Sequence, residues 1–402
     1  MRILVHDYAG HPFQVQLSRE LARRGHEVVH AYAGGLVTPR GALLLRAEDP
    51  AGFSIVEVPM SPAYRVNKYS FLKRRGYELD YGHELSALVG RVKPDLIVSA
   101  NTPTEPQWTM IKSAQVLGVP VVTWLQDFYS VAVAKLARKK IPVLGNLVGA
   151  WYRRLDGRCF RASAGIVAIT EDFVPMLERF GVPPAKTEVI PNWAPLDELP
   201  RRPRDNDWSE RHGLAGKFVF HYSGTLAMKH NPDLLRRLAT HFRDQPDVRI
   251  VVVSEGPGAD FLREKKAVEA LANLMVLPFQ PFEDMPDVLA ASEVLIAVLE
   301  ADAGVFSVPS KVLTYHTAAR AILGAMPRDN LAARILIQQT SGLCVAPDDA
   351  DGFVQAAATL RLDSSRREEM ARAARRYAES EFDIKRLGDR FEAFFTRILN
   401  NN

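Results

Sequence analysis

The stretch YSGTLAMKHNPDLL, residues 222–235, packs a glycine turn, a lysine and a helix start into a short space. The apolar run before it reads as a strand. Gly224 and Thr225 turn the chain, Lys229 follows, and Pro232 suits the first turn of a helix. A turn at the carboxyl edge of a parallel strand is where open α/β sheets bind ligands. A lysine there can meet a diphosphate as a point charge. An ordinary strand–helix turn with a surface lysine would carry the same residues. The stretch GVFSVPSKVLTYH, residues 304–316, sets Ser307, Pro309, Ser310 and Lys311 around a second helix start, with Thr314 one turn on. Free N–H groups and the helix dipole make such a start an anion site. A plain serine N-cap is the alternative.

Three further turns are candidates. SEGPGAD at 254–260 places Glu255 and Gly256 directly after an apolar run, and glycine lets a ligand approach the backbone. HDYAGHPFQ at 6–14 puts Gly10 and His11 where a first-domain loop would face a ligand. Neither is a GxGxxG fingerprint. WLQDFY at 124–129 ends a strand, and Asp127 there could take a proton from a hydroxyl or hold a sugar hydroxyl; as an alternative it caps a helix. Asp205-Asn206-Asp207 imitates a metal-holding Asp-X-Asp, but no strand precedes it, so it is set aside. No HExxH, P-loop or GxSxG pattern occurs.

These turns need strands and helices to hold them. Arg2–His6, Glu27–Tyr32, Asp95–Ser99, Val119–Leu125, Gly165–Ile169 and Glu188–Ile190 read as strands, with helices over Phe13–Arg24 and Gln107–Leu117. After residue 213 the pattern restarts, with strands at Phe218–Tyr222, Arg249–Ser254, Leu274–Leu277, Val294–Leu299, Ala321–Ala325 and Gly342–Val345. Strand–helix–strand repetition implies crossovers and a parallel sheet. Continuous apolar strands imply that both sheet faces are covered. Two doubly wound Rossmann-like domains with an interdomain cleft are expected: 1–192, a proline- and charge-rich linker over 193–213, and 214–379. Residues 366–399 read as two amphipathic helices broken near Phe382–Asp383, with 380–402 as a separate C-terminal helix.

The chain has 402 residues, 47% hydrophobic and 24% charged, enough for two or three packed domains. The two cysteines, Cys159 and Cys344, form neither a disulfide framework nor a metal pattern. No apolar run suits a signal peptide or a membrane span, so a cytosolic protein is expected. Residues 1–190 hold 24 Lys+Arg against 17 Asp+Glu; that is +7, leaving −3 for the rest of the +4 total. The basic half is expected to face something anionic. Zinc spacing, RNP-like aromatics and basic-region heptads are lacking, which disfavours nucleic acid. Residues 135–161 are basic and partly apolar, and Trp151 and Tyr152 beside Arg153 and Arg154 are residue types of a membrane interface. A solvated helix is the alternative. Lys73-Arg74-Arg75 would extend that patch.

Taken in order, GHPFQVQLSRELARRGHEV, WLQDFYSVAV, VIPNWAPLDELP, HYSGTLAMKHNPDLL, VVVSEGPGADFL, LPFQPFEDMPDVLAASEVLIAVLE and AGVFSVPSKVL resemble the retaining GT4-type glycosyltransferases of GT-B fold, close to the WbuB-like branch. The resemblance covers nearly the whole chain. It implies transfer from a nucleotide-sugar, UDP- or GDP-linked, to a glycan or polyprenyl-diphosphate-linked acceptor in O-antigen or exopolysaccharide assembly. It implies that Lys229 and Lys311 neutralise the diphosphate with Ser310 and the Glu255-Gly256 loop, that Pro278 and Phe279 lie along the base, and that Asp127 lies beside the reacting sugar. It further implies no bound metal and no cofactor, because positive side chains and a helix terminus meet the leaving diphosphate. The final helix would cross back to the first domain.

Two departures stand out. Many relatives carry two glutamates eight positions apart where this sequence has Phe306 and Thr314, and an arginine where it has Thr225. Glu300 or Asp302 is a candidate substitute. A nucleotide-sugar epimerase and a non-catalytic nucleotide-sugar binder are the competing readings. A Rossmann dehydrogenase is not, since neither half has the glycine fingerprint with its acidic partner.

Overall fold

The computed structural model describes residues 1–36, 43–67, 70–140, 142–299 and 310–400. They form two compact units, one of residues 1–191 with 384–402, the other of residues 192–383.

The first unit is a seven-stranded parallel sheet of β1 (Arg2–Asp7), β2 (Glu27–Ala33), β3 (Phe53–Val58), β4 (Leu96–Ala100), β5 (Val121–Leu125), β6 (Gly165–Ala168) and β7 (Thr187–Val189), in the order β3-β2-β1-β4-β5-β6-β7. Every residue of β4 and β5 is buried, as strands with helices on both faces should be. β3 lay outside the sequence reading. It is an edge strand with only Phe53 and Val58 buried, so its composition lacks the apolar run of a central strand.

The second unit is a six-stranded parallel sheet of β8 (Phe218–Ser223), β9 (Val248–Val253), β10 (Leu274–Leu277), β11 (Val294–Val298), β12 (Ala321–Ala325) and β13 (Gly342–Val345), in the order β10-β9-β8-β11-β12-β13. In both sheets the strand order reverses beside the first strand, between β1 and β4 and between β8 and β11. That reversal opens a crevice at the carboxyl edge, since the neighbouring crossovers run to opposite faces.

The segment read as an interdomain linker contains a helix, Asp207–Arg211. The side chain of Asn206 accepts from the Ser209 amide at 2.9 Å while Ser209 Oγ accepts from the Asn206 amide at 2.9 Å, and Trp208 is buried at its first turn. A capping box plus one large buried ring suffices for so short a helix, although no apolar period announces it. Asn206 is thereby a cap within the Asp-X-Asp triplet.

The helix Ile384–Asn400 packs on the helix Pro12–Arg23 of the first unit. Phe391 meets Trp124 edge-on with ring centroids 4.9 Å apart, and both are buried. Arg24 donates to Asp389 at 2.6 Å, and His26 pairs with Glu392 at 2.7 Å.

Candidate functional site

In the second unit the loops after β8, β9 and β10 form one rim. β8 ends at Ser223, and Gly224 follows with φ +122°, a conformation for which glycine is needed. The Gly224 amide donates to the Val253 carbonyl at 3.0 Å, and the Gly258 amide to the Leu226 carbonyl at 3.0 Å, tying the β8 and β9 loops together. Gly256 also has positive φ, +94°, and the helix Pro257–Val268 starts there. The Phe279 amide points at the Glu255 carboxylate at 3.4 Å, which joins the β10 loop to the rim. Thr225, Glu255, Pro278 and Phe279 are exposed on it. Lys229 lies in the short 3₁₀ turn Met228–His230, exposed.

Lys311 enters this rim from the helix Ser310–Thr317, which follows β11. Its ammonium lies 3.8 Å from the centroid of the Tyr222 ring and donates to the Tyr222 hydroxyl. A Cβ on Gly224 would lie 3.2 Å from Lys311 Nζ, so the missing side chain leaves the lysine its room. Tyr315, on the same helix, donates to the Ser223 carbonyl at 3.0 Å and accepts from the Ser223 amide at 2.9 Å, locking the helix to the end of β8. Among the described residues no carboxylate pairs with Lys311. Burial pushes its ammonium down to about 7. A cation held over a strand end beside a glycine turn can receive an anion.

The neighbouring candidates divide. Ser310 is exposed at the helix start, and Thr314 Oγ1 turns back toward the Ser310 carbonyl at 3.5 Å. Ser307, Pro309, Phe306, Glu300 and Asp302 lie outside the described residues.

In the first unit a cavity of about 260 Å³ opens at the ends of β4 and β5 and is lined by Asp127, Asn101, Arg74, Glu78 and Asp156, among others. Asp127 reaches solvent through the cavity yet has protein walls around it. That desolvation and the charge of Asp156 push its carboxyl above the usual carboxylate range. No described donor bonds to it. Asp156 differs: it accepts from Thr104 Oγ1 at 2.6 Å and from the Ser130 amide at 2.9 Å, and it is buried. One carboxylate is thus fixed and the other is open to a ligand.

Gly10 and His11 lie on the turn after β1, which Asp7 organises. The buried Asp7 carboxylate accepts from the Ala9 amide at 3.0 Å, from the His11 amide, and from Asn101 Nδ2 at 2.9 Å. Burial alone would raise its pKa, but the His11 imidazole and amide outweigh that and hold it below the usual range. Gly10 has φ +77° and is buried; His11 is half-buried. Asn101 itself has φ +57°, which costs a non-glycine residue strain and marks a site-shaping position.

Sequence reasoning missed Asp7, Asn101, Glu78 and Tyr222, and placed Arg74 on a basic surface instead of in this cavity. Asp7 ends the first strand, a signal that was available. Arg74 and Glu78 sit on one face of the helix Phe71–Val92 at i, i+4, another available signal.

Two parts of the expected basic surface face elsewhere. Arg74 donates to Glu78 at 2.7 Å and to the Tyr129 hydroxyl, and Arg75 pairs with Glu105 at 2.7 Å, so both are spent on buried carboxylates. Tyr152 is buried and donates to Glu105 at 3.0 Å, while Trp151 remains exposed. Neighbours on a helix point about 100° apart, so only one of the pair can face out.

Residues 13–198 match Glycosyltransferase Family 4, and residues 217–363 match Glycosyl transferases group 1. No curated protein sequence matches. Among solved structures, Alr3699/HepE from Anabaena in complex with UDP and glucose is 15% identical at a TM-score of 0.72, covering 98% of this chain and 99% of that one. Sucrose-phosphate synthase from Thermosynechococcus elongatus is 11% identical at a TM-score of 0.75, covering 100% of both. WaaG, a glycosyltransferase involved in lipopolysaccharide biosynthesis, is 15% identical at a TM-score of 0.67, covering 98% of both. With its two Rossmann-like sheets of seven and six strands, the chain has the GT-B fold and carries a Glycosyltransferase Family 4 domain followed by a Glycosyl transferases group 1 domain.

Proposed function

We propose that the protein transfers a sugar from a nucleotide-sugar, UDP- or GDP-linked, to a hydroxyl of a glycan or polyprenyl-diphosphate-linked acceptor. The observation that carries this is Lys311, an ammonium with no carboxylate partner among the described residues, set over the glycine turn at the strand-order reversal of the second sheet. On this reading Lys311 and Lys229 meet the diphosphate and stabilise the charge that builds on it as the sugar leaves. The Glu255-Gly256 loop and Pro278-Phe279 border the nucleoside. Asp127, with its raised pKa, receives or orients the acceptor hydroxyl in the first unit. The UDP in the HepE structure supports a uracil base. Retention at the anomeric carbon, a role in cell-surface polysaccharide assembly and kinship with the WbuB-like branch rest on the sequence resemblance. Donor chemistry here uses side chains and a helix start, without a metal or cofactor.

The acceptor side extends to a membrane surface. The helices Tyr129–Lys140 and Pro142–Ala162 pack closely: a Cβ on Gly149 would lie 2.8 Å from Ala134 Cβ. Leu136, Leu144, Leu147 and Trp151 on them stand 48%, 57%, 68% and 53% exposed, with Lys135, Arg138, Arg153, Arg154 and Arg158 also exposed. Apolar side chains ringed by cations suit the inner face of an anionic bilayer. No described helix is long and apolar enough to cross one.

The test is thermal stabilisation by UDP, GDP, dTDP and CDP, each with and without magnesium. A ligand at about a hundredfold excess over its Kd adds about 2.7 kcal/mol. Stabilisation by one diphosphate, independent of magnesium and lost in Lys311→Ala, is expected. Response to none of them overturns the reading. Adding acceptor then separates a transferase, which releases nucleoside diphosphate, from an epimerase or a silent binder.

A further inference from the structure

The second unit has a cavity of about 730 Å³ that takes no part in the site above. It lies at the opposite edge of the sheet. Ser292 and Glu293 lead into the amino end of β11, and Ala319 and Arg320 into the amino end of β12. A strand of five residues separates the two edges by roughly 16 Å.

Seven arginines line this cavity against three glutamates, a surplus of four positive charges. The surplus does not follow from general composition. Residues 192–383 hold 23 Lys+Arg against 28 Asp+Glu, so the unit as a whole carries −5. Positive charge has been gathered here within an acidic unit.

Three of the arginines are already paired. Arg204 binds Glu293 at 2.6 Å, Arg375 binds Glu379 at 2.7 Å, and Arg372 lies 3.6 Å from Glu368. The other four have no carboxylate partner among the described residues. Arg320 spends its N–H groups on carbonyls, among them Ser292 at 2.7 Å, Ala290 at 2.8 Å and Ala319 at 3.0 Å. Arg367 donates to the Leu360 and Arg361 carbonyls and lies 4.9 Å from the Phe218 ring centroid. Arg201 and Arg376 are exposed at the mouth. Burial lowers the Arg320 pKa; the Glu293 carboxylate offsets part of this, and the charges of Arg201 and Arg204 add to it. Crowded guanidinium groups of this kind repel one another, and an anion among them relieves that repulsion.

The geometry points to a second ligand site, for a small molecule carrying two or more phosphate groups, in the arginine-lined cavity at the amino edge of the second sheet. Guanidinium forks match phosphate oxygens two at a time. The volume falls within the range of about 300–1,000 Å³ typical of small-ligand sites and exceeds what a lone phosphate fills. A concave site in a net-negative unit disfavours a long polyanion, which would be repelled beyond the cavity mouth.

The probe is inorganic tripolyphosphate, titrated calorimetrically into the full chain at constant ionic strength. It is run in a Lys311→Ala background, so that the rim after β8 does not contribute. Arg201→Glu/Arg376→Glu is then added to that background. Both arginines are exposed and have no carboxylate partner among the described residues, so folding is not put at stake, and circular dichroism verifies this. Binding of about one equivalent in Lys311→Ala, weakened about tenfold or more by the double charge reversal, is the expected result. The site is disproved if Lys311→Ala binds nothing, if the double reversal leaves affinity unchanged, or if sulfate at equal ionic strength binds as well. Tighter binding of poly-glutamate or an oligonucleotide would overturn the assignment to a small molecule. None of these readouts depends on sugar transfer, so failure here leaves the proposed activity standing.

Discussion

The ammonium of Lys311 lies against the face of Tyr222, 3.8 Å from the ring centroid, with Gly224 alongside leaving it space. The ring face is negative and stabilises the cation, while burial opposes it. The lysine is therefore poised near neutrality, at about 7.

Diphosphate affinity should fall with rising pH. A bound diphosphate favours charged Lys311 and raises its pKa in the complex. Affinity is then full below about pH 7 and declines above it, by at most about tenfold per pH unit, until the pKa of the complex is passed. Calorimetry of the responding nucleoside diphosphate across that range measures this. Lys311→Ala should weaken binding by about tenfold or more and abolish the slope.

Gly224→Ala tests the close approach. Its Cβ would meet Lys311 Nζ at 3.2 Å in a backbone conformation, φ +122°, that alanine rarely adopts. Loss of about 1 kcal/mol or more of stability is expected, with weaker diphosphate binding. An unchanged melting curve would show that the turn relaxes freely.

Asp127→Asn separates the two units' contributions. The side chain keeps its shape and loses its capacity to take a proton. Turnover should drop by about 10²–10⁴, the range for loss of a general base. Affinity for the nucleoside diphosphate should not move, since that ligand belongs to the other unit. Full activity would remove Asp127 from the chemistry.

Acid should destabilise the fold between about pH 6.5 and 4. His6, His30, His221 and His316 are buried, and desolvation lowers each to about 4. Between those values the unfolded chain binds protons that the folded chain refuses, so stability falls as pH drops. It is complete above the unfolded value and lost progressively below it, on the order of 3 kcal/mol per imidazole at most. Urea midpoints measured through this window give the slope.

The central strands were legible because buried parallel strands announce themselves as apolar runs such as LIVSA and VLIAV. The edge strand β3 and the capped helix at Asp207–Arg211 were not, since polarity or brevity erases the period that marks an element. The turn around Gly224 was found from residue order alone, because glycine, lysine and proline each restrict the backbone or supply charge. The pairing of Lys311 with Tyr222 joins residues 89 positions apart, and no local pattern encodes that. Arg74 and Tyr152 illustrate the converse. Their types suggested a surface, but buried Glu78 and Glu105 draw them inward.

The last helix, Ile384–Asn400, belongs with residues 1–191, so the first unit is discontinuous in sequence while the second is continuous. Phe391→Ala, which removes a buried ring from Trp124, should cost about 3–5 kcal/mol in the first unit. Discontinuity also sets an order of events during synthesis. A ribosome delivers the residues of the first sheet early, yet the helix that covers Trp124 follows only after the whole second unit. The second unit can close before that helix is made; the first waits, with Trp124 uncovered, until residues 384–400 have followed. Slow translation of the middle of this chain would lengthen that exposed interval, and chaperone dependence should follow the first unit.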